Sequence, residues 1–240
     1  MSQDQKQQQL REEFNRWAVD GRGSGLEDHH RPIVEPTLAL MDLQPTDRVL
    51  DVGCGTGWLC RMIAPQLSQG FCAGIDVSDA MVERAQAEGT RLPNVQFLAG
   101  GADKIPWQDD FFTKVISVES AYYWPEPAAG ISEIHRVLGA GGSAWILINY
   151  YLENPYAHHW GAQLAVPTHL LSTDTWMRIF CDAGFANVGN RRIPDLSPTP
   201  ETYTGSAFKD AAQMRRFKET GALLVCGTKP STGQCHTQAT

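Results

Sequence analysis

Three features are missing from this sequence, and each absence excludes a class of protein. No apolar run reaches the roughly 18–20 residues that a membrane-spanning helix needs, and the polar start MSQDQKQQQ does not resemble a signal peptide. Basic residues are in deficit, 20 against 27 acidic ones, so the net charge of −7 has the wrong sign for a dedicated nucleic-acid binder. We therefore expect a cytoplasmic protein with no membrane insertion and no nucleic-acid partner.

The six cysteines also lack the spacing of a metal site or a redox pair. None forms a Cys-x-x-Cys motif, and no group of them has metal-ligand spacing. Reduced thiols and no bound metal are therefore expected. The sequence contains no internal repeat, and 240 residues are enough for one domain with a substantial core.

The most informative segment present is VLDVGCGTG, from Val49 to Gly57. A short apolar run leads to Asp51 and then to three glycines at alternate positions. This order is typical of a β-strand that ends in a turn without side chains, where backbone and ligand can approach closely. Leu59–Leu67 then has a helical pattern, and the unpaired N–H groups at a helix start favour anionic or polar groups. The segment predicts a nucleotide-cofactor site.

The glycine spacing narrows the choice of nucleotide. A dinucleotide-binding turn follows the pattern G-x-G-x-x-G, but Trp58 stands where the last glycine would be. So bulky a side chain argues against close helix packing beneath a pyrophosphate, and hence against an NAD-dependent oxidoreductase. No Gly-Lys-Ser/Thr follows, which excludes a P-loop. A glycine turn without a ligand is the alternative.

A second acidic residue follows the next apolar run. Phe71–Val77, FCAGIDV, is a predicted strand that Asp76 closes. In nucleotide-binding βαβ units, an acid about 20 residues after the glycine turn accepts hydrogen bonds from ribose hydroxyls. Asp76 is therefore predicted to bind a ribose. The alternative is that it caps the next helix, although Ser78 or Asp79 would serve equally well.

Four ordered motifs resemble those of the class I S-adenosylmethionine-dependent methyltransferases. They are VLDVGCGTG, GIDVS, GGADKIPWQDDFFTKVISVES and EIHRVLGAGGSAWILI, with a weaker match at TWMRIFCDAGFANV. The resemblance covers roughly residues 32–150 and is closest to the type-11 domain shared with ubiquinone/menaquinone-biosynthesis methyltransferases. It implies S-adenosylmethionine as cofactor and S-adenosylhomocysteine as product. It does not specify the methyl acceptor.

The resemblance implies a set of cofactor-binding residues. The methionine and ribose part of the cofactor would be lined by residues of the first turn, namely Asp51, Gly53, Gly55 and Gly57. Asp76 would hold the ribose hydroxyls, with Val77 and Met81 packing near the adenine. Ala102 and Asp103 would recognise the adenine edge through a backbone N–H and a carboxylate.

The acceptor would lie beyond the fourth strand, predicted at Lys114–Val118. The resemblance implies that Glu119 faces both the methionine end of the cofactor and the acceptor. Methyl transfer from a sulfonium is an in-line displacement, which needs alignment more than acid–base groups. A hydroxyl or protonated amine would also need a base to remove one proton. The catalytic candidates are Glu119, the aromatic wall residues Tyr122 and Tyr123, and the histidines His29 and His158, with their neighbours His30 and His159.

Strands alternate with helices from Arg48 to Tyr150. This alternation predicts an α/β fold with a mostly parallel sheet covered by helices on both faces. Together with the resemblance, it implies a Rossmann-like, seven-stranded sheet. The last strand, predicted at Ala222–Lys229, would be antiparallel.

The chain is expected to divide into three parts. Residues 1–31 comprise a helix at Asp4–Val19 and a glycine loop, which we interpret as a lid over the ligand crevice. Residues 32–230 form the methyltransferase domain, which starts with a helix at Pro32–Leu43, and residues 231–240 form a disordered tail.

Two long connections interrupt the predicted domain. They are expected near residues 151–171 and 194–220, where a simple hairpin would need only about 2–5 residues. Long connections of this kind often carry function, so both are interpreted as substrate-side insertions. Surface segments without a function are the alternative.

The sequence therefore predicts a methyltransferase with a small-molecule acceptor, which is an aromatic, quinone-like or amine metabolite. The alternative is a cofactor-binding module of the same fold with lost or redirected catalysis. The oligomeric state is not determined by the sequence.

Overall fold

The computed structural model describes residues 2–21, 25–163 and 165–231. Its helices in chain order are α1 (Gln3–Val19), α2 (Leu26–Met41), α3 (Trp58–Ile63), α4 (Asp79–Gly89), α5 (Pro127–Val137), α6 (Thr173–Asp182) and α7 (Ala211–Thr220). Short 3₁₀ segments occupy Ala64–Gln66, Ala121–Tyr123 and His158–Gln163. The strands are β1 (Arg48–Val52), β2 (Phe71–Asp76), β3 (Val95–Ala99), β4 (Phe112–Val118), β5 (Leu138–Ile148), β6 (Ala186–Ile193) and β7 (Ala222–Thr228).

The strands form one seven-stranded sheet in the order β3-β2-β1-β4-β5-β7-β6. β1 to β5 run parallel to one another, whereas β7 is antiparallel to both β5 and β6. The predicted fold class, including the antiparallel last strand, is confirmed. The strand order reverses direction beside β1, since β2 and β4 flank it, and ligands in such sheets bind beyond the carboxyl ends at that point.

Both faces of the sheet are covered, as predicted. On one face, α5 and α6 bury apolar side chains such as Ile131, Ile134 and Trp176 against the strands. On the other face, α2, α3 and α4 contribute Val34, Leu59 and further apolar residues. Burial of this apolar surface is the main force that holds the helices to the sheet. The two layers leave the carboxyl ends of β1 to β5 open toward α1.

The second helix begins earlier than predicted. α2 starts at Leu26, directly after the left-handed Gly25 with φ 83°, so the predicted start at Pro32 is wrong. The prediction placed Pro32 in the first helical position, where its missing N–H has no cost. In the structure Pro32 lies inside the helix, because the buried face with Ile33 and Val34 holds the helix against the core. α2 therefore crosses the predicted division between residues 31 and 32.

The predicted N-terminal helix is confirmed as α1. Ser2 caps it, accepting a hydrogen bond from the backbone N–H of Gln5, while the Gln5 side chain accepts from the Ser2 N–H. This reciprocal capping box stabilises the helix start. Leu10 and Ala18 are buried on the narrow apolar face. Of the predicted glycine loop, residues 22–24 lie outside the described residues.

The two long connections differ in structure. Residues between β5 and α6 include the 3₁₀ segment His158–Gln163, and those between β6 and β7 include α7. The second connection is held by Lys218, whose buried ammonium lies 3.2 Å from Asp195 and donates to Ser197 Oγ at 2.7 Å. The predicted disordered tail lies outside the described residues except for Ser231.

Across the described ranges, none of the helices is both long and apolar enough to cross a membrane.

Candidate functional site

A cavity of about 240 Å³ lies at the carboxyl ends of β1 to β4. One side is formed by the segments that follow these strands: the glycine turn after β1, the end of β2, residues 100–103, and residues between 118 and 125. The opposite side is formed by α1 and the start of α2, which contribute Gln7, Leu10, Phe14, Trp17, Leu26 and His30. The cavity thus collects most of the predicted site residues. Those that line it are Asp51, Gly53, Gly55, Asp76, Val77, Met81, Ala102, Asp103, Glu119, Tyr122 and Tyr123.

The glycine turn is held to the end of β2 by backbone hydrogen bonds. The backbone N–H groups of Gly53 and Cys54 both donate to Ile75 O, at 2.8 and 2.9 Å. Gly55 donates its N–H to Asp76 Oδ2 at 2.9 Å. Gly55 has φ 51°, and a Cβ there would meet no atom within 4 Å. A side chain at that position would therefore project into open space that a ligand can use.

Gly57 has a different role from the other two glycines. It does not line the cavity but begins α3 with φ 76°, and a Cβ there would collide with the ring of Phe97. The glycine is thus required by helix packing. Trp58, the next residue, is buried and lines the cavity.

Asp76 is fixed in orientation by two backbone donors. Its Oδ2 accepts from Gly55 and its Oδ1 accepts from the N–H of Ser78 at 2.9 Å. Ser78 is the residue that caps α4, because its hydroxyl accepts from the N–H of Met81. Burial raises the pKa of Asp76 above its usual value, while the two hydrogen bonds act in the opposite direction.

Asp51 is a buried carboxyl group at the end of β1. Burial, with a smaller contribution from the nearby Asp76, raises its pKa to about 8. Its Oδ2 lies 3.9 Å from the thiol of Cys60. At neutral pH the group therefore holds a proton, and a cationic ligand in the cavity would favour its ionised form.

Ala102 and Asp103 follow β3, as predicted, at one end of the cavity. Ala102 is buried, whereas Asp103 is half-buried and accepts hydrogen bonds from two side chains of α1. Gln3 Nε2 donates to Oδ2 at 2.8 Å, and Gln7 Nε2 donates to Oδ1 at 3.2 Å. Sequence reasoning missed both glutamines, although Gln7 lies one helical turn from Leu10 and so shares its face.

Glu119 lies directly after β4 in the left-handed backbone region, with φ 51°. Its Oε1 accepts from the backbone N–H of Asn149 at 2.6 Å, and its Oε2 accepts from the hydroxyl of Tyr122 at 3.1 Å. Burial raises the pKa of Glu119 to about 7, although the hydrogen bonds from Asn149 and Tyr122 act to lower it. A carboxyl group with this pKa exchanges a proton readily near neutral pH.

Aromatic rings continue from Glu119 to α1. Tyr122 and Tyr123 have ring centroids 4.4 Å apart, and Phe14 meets Tyr123 edge-on at 5.1 Å. Trp17 packs against Phe14 at 4.9 Å. The rings form one wall from the carboxylate to the helix, and such a wall binds planar groups well. Trp160, from the connection after β5, also lines the cavity.

The structure does not bring His29 or His158 to the cavity. The exposed His29 has its Nδ1 at 2.7 Å from Gly25 O, and His158 has its Nε2 at 2.9 Å from Leu152 O. Among the described residues, the histidine that lines the cavity is His30. Burial, and to a lesser degree His29, lowers the pKa of His30 to about 4, so its ring is neutral at pH 7.

The charges around the cavity are unbalanced. No lysine or arginine is among the described residues that line it, whereas four carboxyl groups do, those of Asp51, Asp76, Asp103 and Glu119. The described residues contain no group of three or more His, Cys, Asp or Glu side chains that would hold a metal ion. The cavity therefore favours uncharged or cationic ligands over anionic ones.

Comparisons with known proteins identify methyltransferases as similar to this chain. The family described as "Methyltransferase domain" matches residues 49–142. The chain is 31% identical over 173 residues to 2-methyl-6-phytyl-1,4-hydroquinone methyltransferase 2 of Oryza sativa subsp. japonica, covering 68% of this chain and 46% of that protein. It is 29% identical to the corresponding Arabidopsis thaliana enzyme, and the match covers 88% of this chain and 56% of that protein. The chain thus spans about half the length of the curated relatives it matches.

Among solved structures, a similar chain comes from the complex between the Haloferax volcanii Trm112 methyltransferase activator and a methyltransferase. The TM-score is 0.84 and the sequence identity 32%, and the match covers 91% of this chain and 98% of that chain. The likeness therefore extends beyond the glycine turn to almost the whole fold.

Proposed function

The chain belongs to the S-adenosylmethionine-dependent methyltransferases, and on that premise we propose that it methylates a planar aromatic small molecule with an ionisable hydroxyl, such as a phenol or hydroquinone. The observation that carries this proposal is Glu119, a carboxyl group with a pKa of about 7 beside an aromatic wall. A rival function is that of a cofactor-binding module without catalysis.

The described residues fit S-adenosylmethionine, which supplies a methyl group on a sulfonium centre when bound. Gly55 leaves open space beside the Asp76 carboxylate, which two backbone N–H groups hold in place. We propose that Asp76 binds the ribose hydroxyls and that Asp51 and the glycine turn face the methionine part. Val77, Met81, Ala102 and Asp103 would enclose the adenine, since all four line the cavity.

We propose that Glu119 is the base that removes the acceptor's hydroxyl proton. Tyr122 and Asn149 hold both of its oxygens, so the carboxylate is pre-oriented toward the acceptor end. Tyr122 and Tyr123 would align the acceptor ring rather than transfer the proton, because burial raises the pKa of both phenols. Glu119 is preferred over His29 and His158, whose ring nitrogens contact backbone carbonyls outside the cavity.

The acceptor class is supported by charge and by relatives. A lining with carboxyl groups and no described lysine or arginine disfavours acceptors that carry a phosphate or carboxylate. The plant relatives are named for a hydroquinone acceptor, and an aromatic wall suits a flat ring of that kind. An amine is the second acceptor class, because a protonated amine would also be attracted to Glu119.

The test is methyl transfer from labelled S-adenosylmethionine to panels of phenols, hydroquinones and amines. Transfer to a hydroquinone, lost in Glu119→Gln, would support the proposal. Transfer to amines alone would show that the acceptor is an amine and not a phenol or hydroquinone. Tight cofactor binding without transfer to any panel would favour the binding module.

We further propose that α1 acts as a lid. It covers the cavity with Leu10, Phe14 and Trp17 and is joined to α4 by side-chain hydrogen bonds. Deleting residues 1–25 should therefore reduce turnover more than folding, as measured by methyl transfer and by thermal unfolding. Full activity of the truncated chain would contradict the lid.

A protein partner is proposed from the Haloferax volcanii comparison, in which the similar chain is bound to the Trm112 activator. We propose that this chain binds an activator of the same type. Co-expression with a tagged Trm112-type protein from the same organism should yield a stable complex with higher activity than the chain alone. Separate elution of the two proteins, with unchanged activity, would contradict this.

A cytoplasmic location also remains a proposal. The described cysteines are free thiols, of which Cys54, Cys60 and Cys72 are buried, as suits a reducing compartment. The plant relatives carry chloroplastic names, so cell fractionation should be done with markers for both compartments where the source has them.

A further inference from the structure

At the end of the cavity proposed to bind adenine, Gln3 and Gln7 of α1 already donate hydrogen bonds to Asp103. We infer that Gln3 and Gln7 belong to the adenine subsite and set the cofactor affinity, because they bind the carboxylate that the adenine amino group would use. This inference rests on the proposed role of Asp103. It extends that role to two residues of α1.

The contacts at Asp103 are specific to its two oxygens. Gln3 donates to Oδ2 at 2.8 Å and Gln7 donates to Oδ1 at 3.2 Å. Gln7 is half-buried and lines the cavity, whereas Gln3 is exposed. A Cβ on Gly101 would collide with the Gln7 carboxamide, so α1 lies directly against this loop.

The chemistry of the two donors is equivalent. A glutamine carboxamide and the exocyclic amino group of adenine each present an NH₂ group to a carboxylate. Gln7 faces the cavity, so an adenine amino group reaching Oδ1 would take its place. Cofactor binding therefore exchanges one NH₂-to-carboxylate hydrogen bond for another, and part of the cofactor's binding energy is spent on that exchange.

The rest of α1 has separate attachments. Asn15 Oδ1 accepts from Ser78 Oγ at 2.6 Å and from the N–H of Ala80 at 3.2 Å. Arg11 lies 3.5 Å from Asp79. These contacts hold the middle and the C-terminal half of α1 at the start of α4. The first turns are held as well, with Lys6 Nζ 3.0 Å from Glu126. Gln3 and Gln7 can therefore release Asp103 by turning their side chains away while the helix stays docked.

The test compares Gln7→Ala with Gln8→Ala by equilibrium binding of S-adenosylhomocysteine. Gln8 is the matched control, since its amide bonds to Glu12 on the exposed side of the same helix. Gln7→Ala should tighten binding about threefold to tenfold, the effect of removing one competing hydrogen bond, and Gln3→Ala/Gln7→Ala should tighten it at least as much. Gln8→Ala should not change it. Asn15→Ala, which removes the attachment of α1 to Ser78 and Ala80, should weaken it.

A second ligand makes the test specific to the amino group. S-inosylhomocysteine carries an oxygen in place of the adenine amino group, and that oxygen cannot donate to Asp103. The gain in Gln7→Ala should therefore be absent for this ligand. An equal gain for both ligands, or weaker binding in Gln7→Ala as in Asn15→Ala, would overturn the inference.

The variant Asp103→Asn tests the adenine-binding role of Asp103 separately from the competition by Gln3 and Gln7. If Asp103 binds the adenine, the variant should lose affinity for S-adenosylhomocysteine and lose little for S-inosylhomocysteine. Unchanged affinity would refute the adenine role itself. A loss in Asp103→Asn combined with no gain in Gln7→Ala would refute only the competition by the glutamines.

Discussion

The two ends of the cavity are built in different ways. At the proposed cofactor end, the residues lie at or shortly after the ends of β1, β2 and β3, so the backbone of adjacent parallel strands sets their positions. Gly55 and Asp76, for example, are joined by a backbone-to-carboxylate hydrogen bond of 2.9 Å. At the proposed acceptor end, Glu119 after β4 lines the same cavity as Phe14 and Trp17, which belong to a helix outside the sheet. Changes at the acceptor end should therefore alter turnover without altering cofactor binding.

The largest expected effect is at the acceptor end. Glu119→Gln should lower kcat by about 10²–10⁴, the usual contribution of a general base, and leave the cofactor Kd nearly unchanged. Steady-state methyl transfer and equilibrium cofactor binding measure the two quantities. If Glu119→Gln lowered kcat and cofactor affinity by the same factor, the two ends of the cavity would not have separate roles.

The pH profile checks the same residue independently. A base acts in its ionised form, and the pKa of Glu119 is raised to about 7. kcat/KM should therefore rise with pH through about 7 and level off above it. Glu119→Gln should abolish this rise. Tyr122→Phe, which removes a donor to the carboxylate, should shift the rise to higher pH.

The next effect belongs to the cofactor end. Asp76→Ala should weaken cofactor binding by about 1–3 kcal/mol, because hydrogen bonds to a charged group are lost. Isothermal titration with S-adenosylhomocysteine measures this loss. Asp110→Ala is the control, since Asp110 pairs with Lys229 away from the cavity. Unchanged affinity in a folded Asp76→Ala protein would exclude the ribose role.

A smaller effect is expected in α1. Trp17→Ala should raise the acceptor KM about twofold to tenfold, since aromatic contacts contribute about 0.5–1.5 kcal/mol. Trp17→Phe keeps a ring but loses the hydrogen bond from Nε1 to Glu13, and it should stay near the wild-type KM. A similar rise in both variants would show that this hydrogen bond, rather than the ring, matters.

The smallest effect concerns stability without cofactor. Asp51 has a pKa of about 8 in the folded protein, against an ordinary value of 3.8. Between these values the folded state binds more protons than the unfolded state. The stability due to Asp51 is therefore complete below pH 4 and is lost as pH rises through 8. Asp51→Asn should therefore raise Tm at pH 8, where each 1 kcal/mol corresponds to about 2–4 °C in a protein of this size.

Thermal unfolding at several pH values tests that stability effect. The difference in Tm between Asp51→Asn and the wild-type protein should shrink toward pH 4. The same variant should bind the cofactor more weakly, since it cannot become an anion. A difference in Tm that does not depend on pH would contradict the buried, protonated Asp51.

Much of the lining at the proposed cofactor end could be predicted, because its signals are local in sequence. Asp51, Gly53 and Gly55 lie within five residues of the chain. Asp76 follows them at about the 20-residue spacing of the ribose-binding acid in a βαβ unit. Gly57 was grouped with them by its spacing, yet its position is explained by the ring of Phe97, which the motif does not reveal. The start of α2 was missed because Pro32 is an ordinary first residue of a helix.

The sequence by itself determined the fold class, the cofactor and the edge of the sheet where the site lies. Parallel strands bring their carboxyl ends to one edge, so residues that end successive strands must meet there. Only the tertiary structure decided which residues of other segments join them. It placed Gln7 on Asp103 and His30 in the cavity, and it left His29 and His158 outside. Those outcomes depend on how α1, α2 and the connection after β5 pack over the sheet. Helical periodicity defines a face without saying what that face covers.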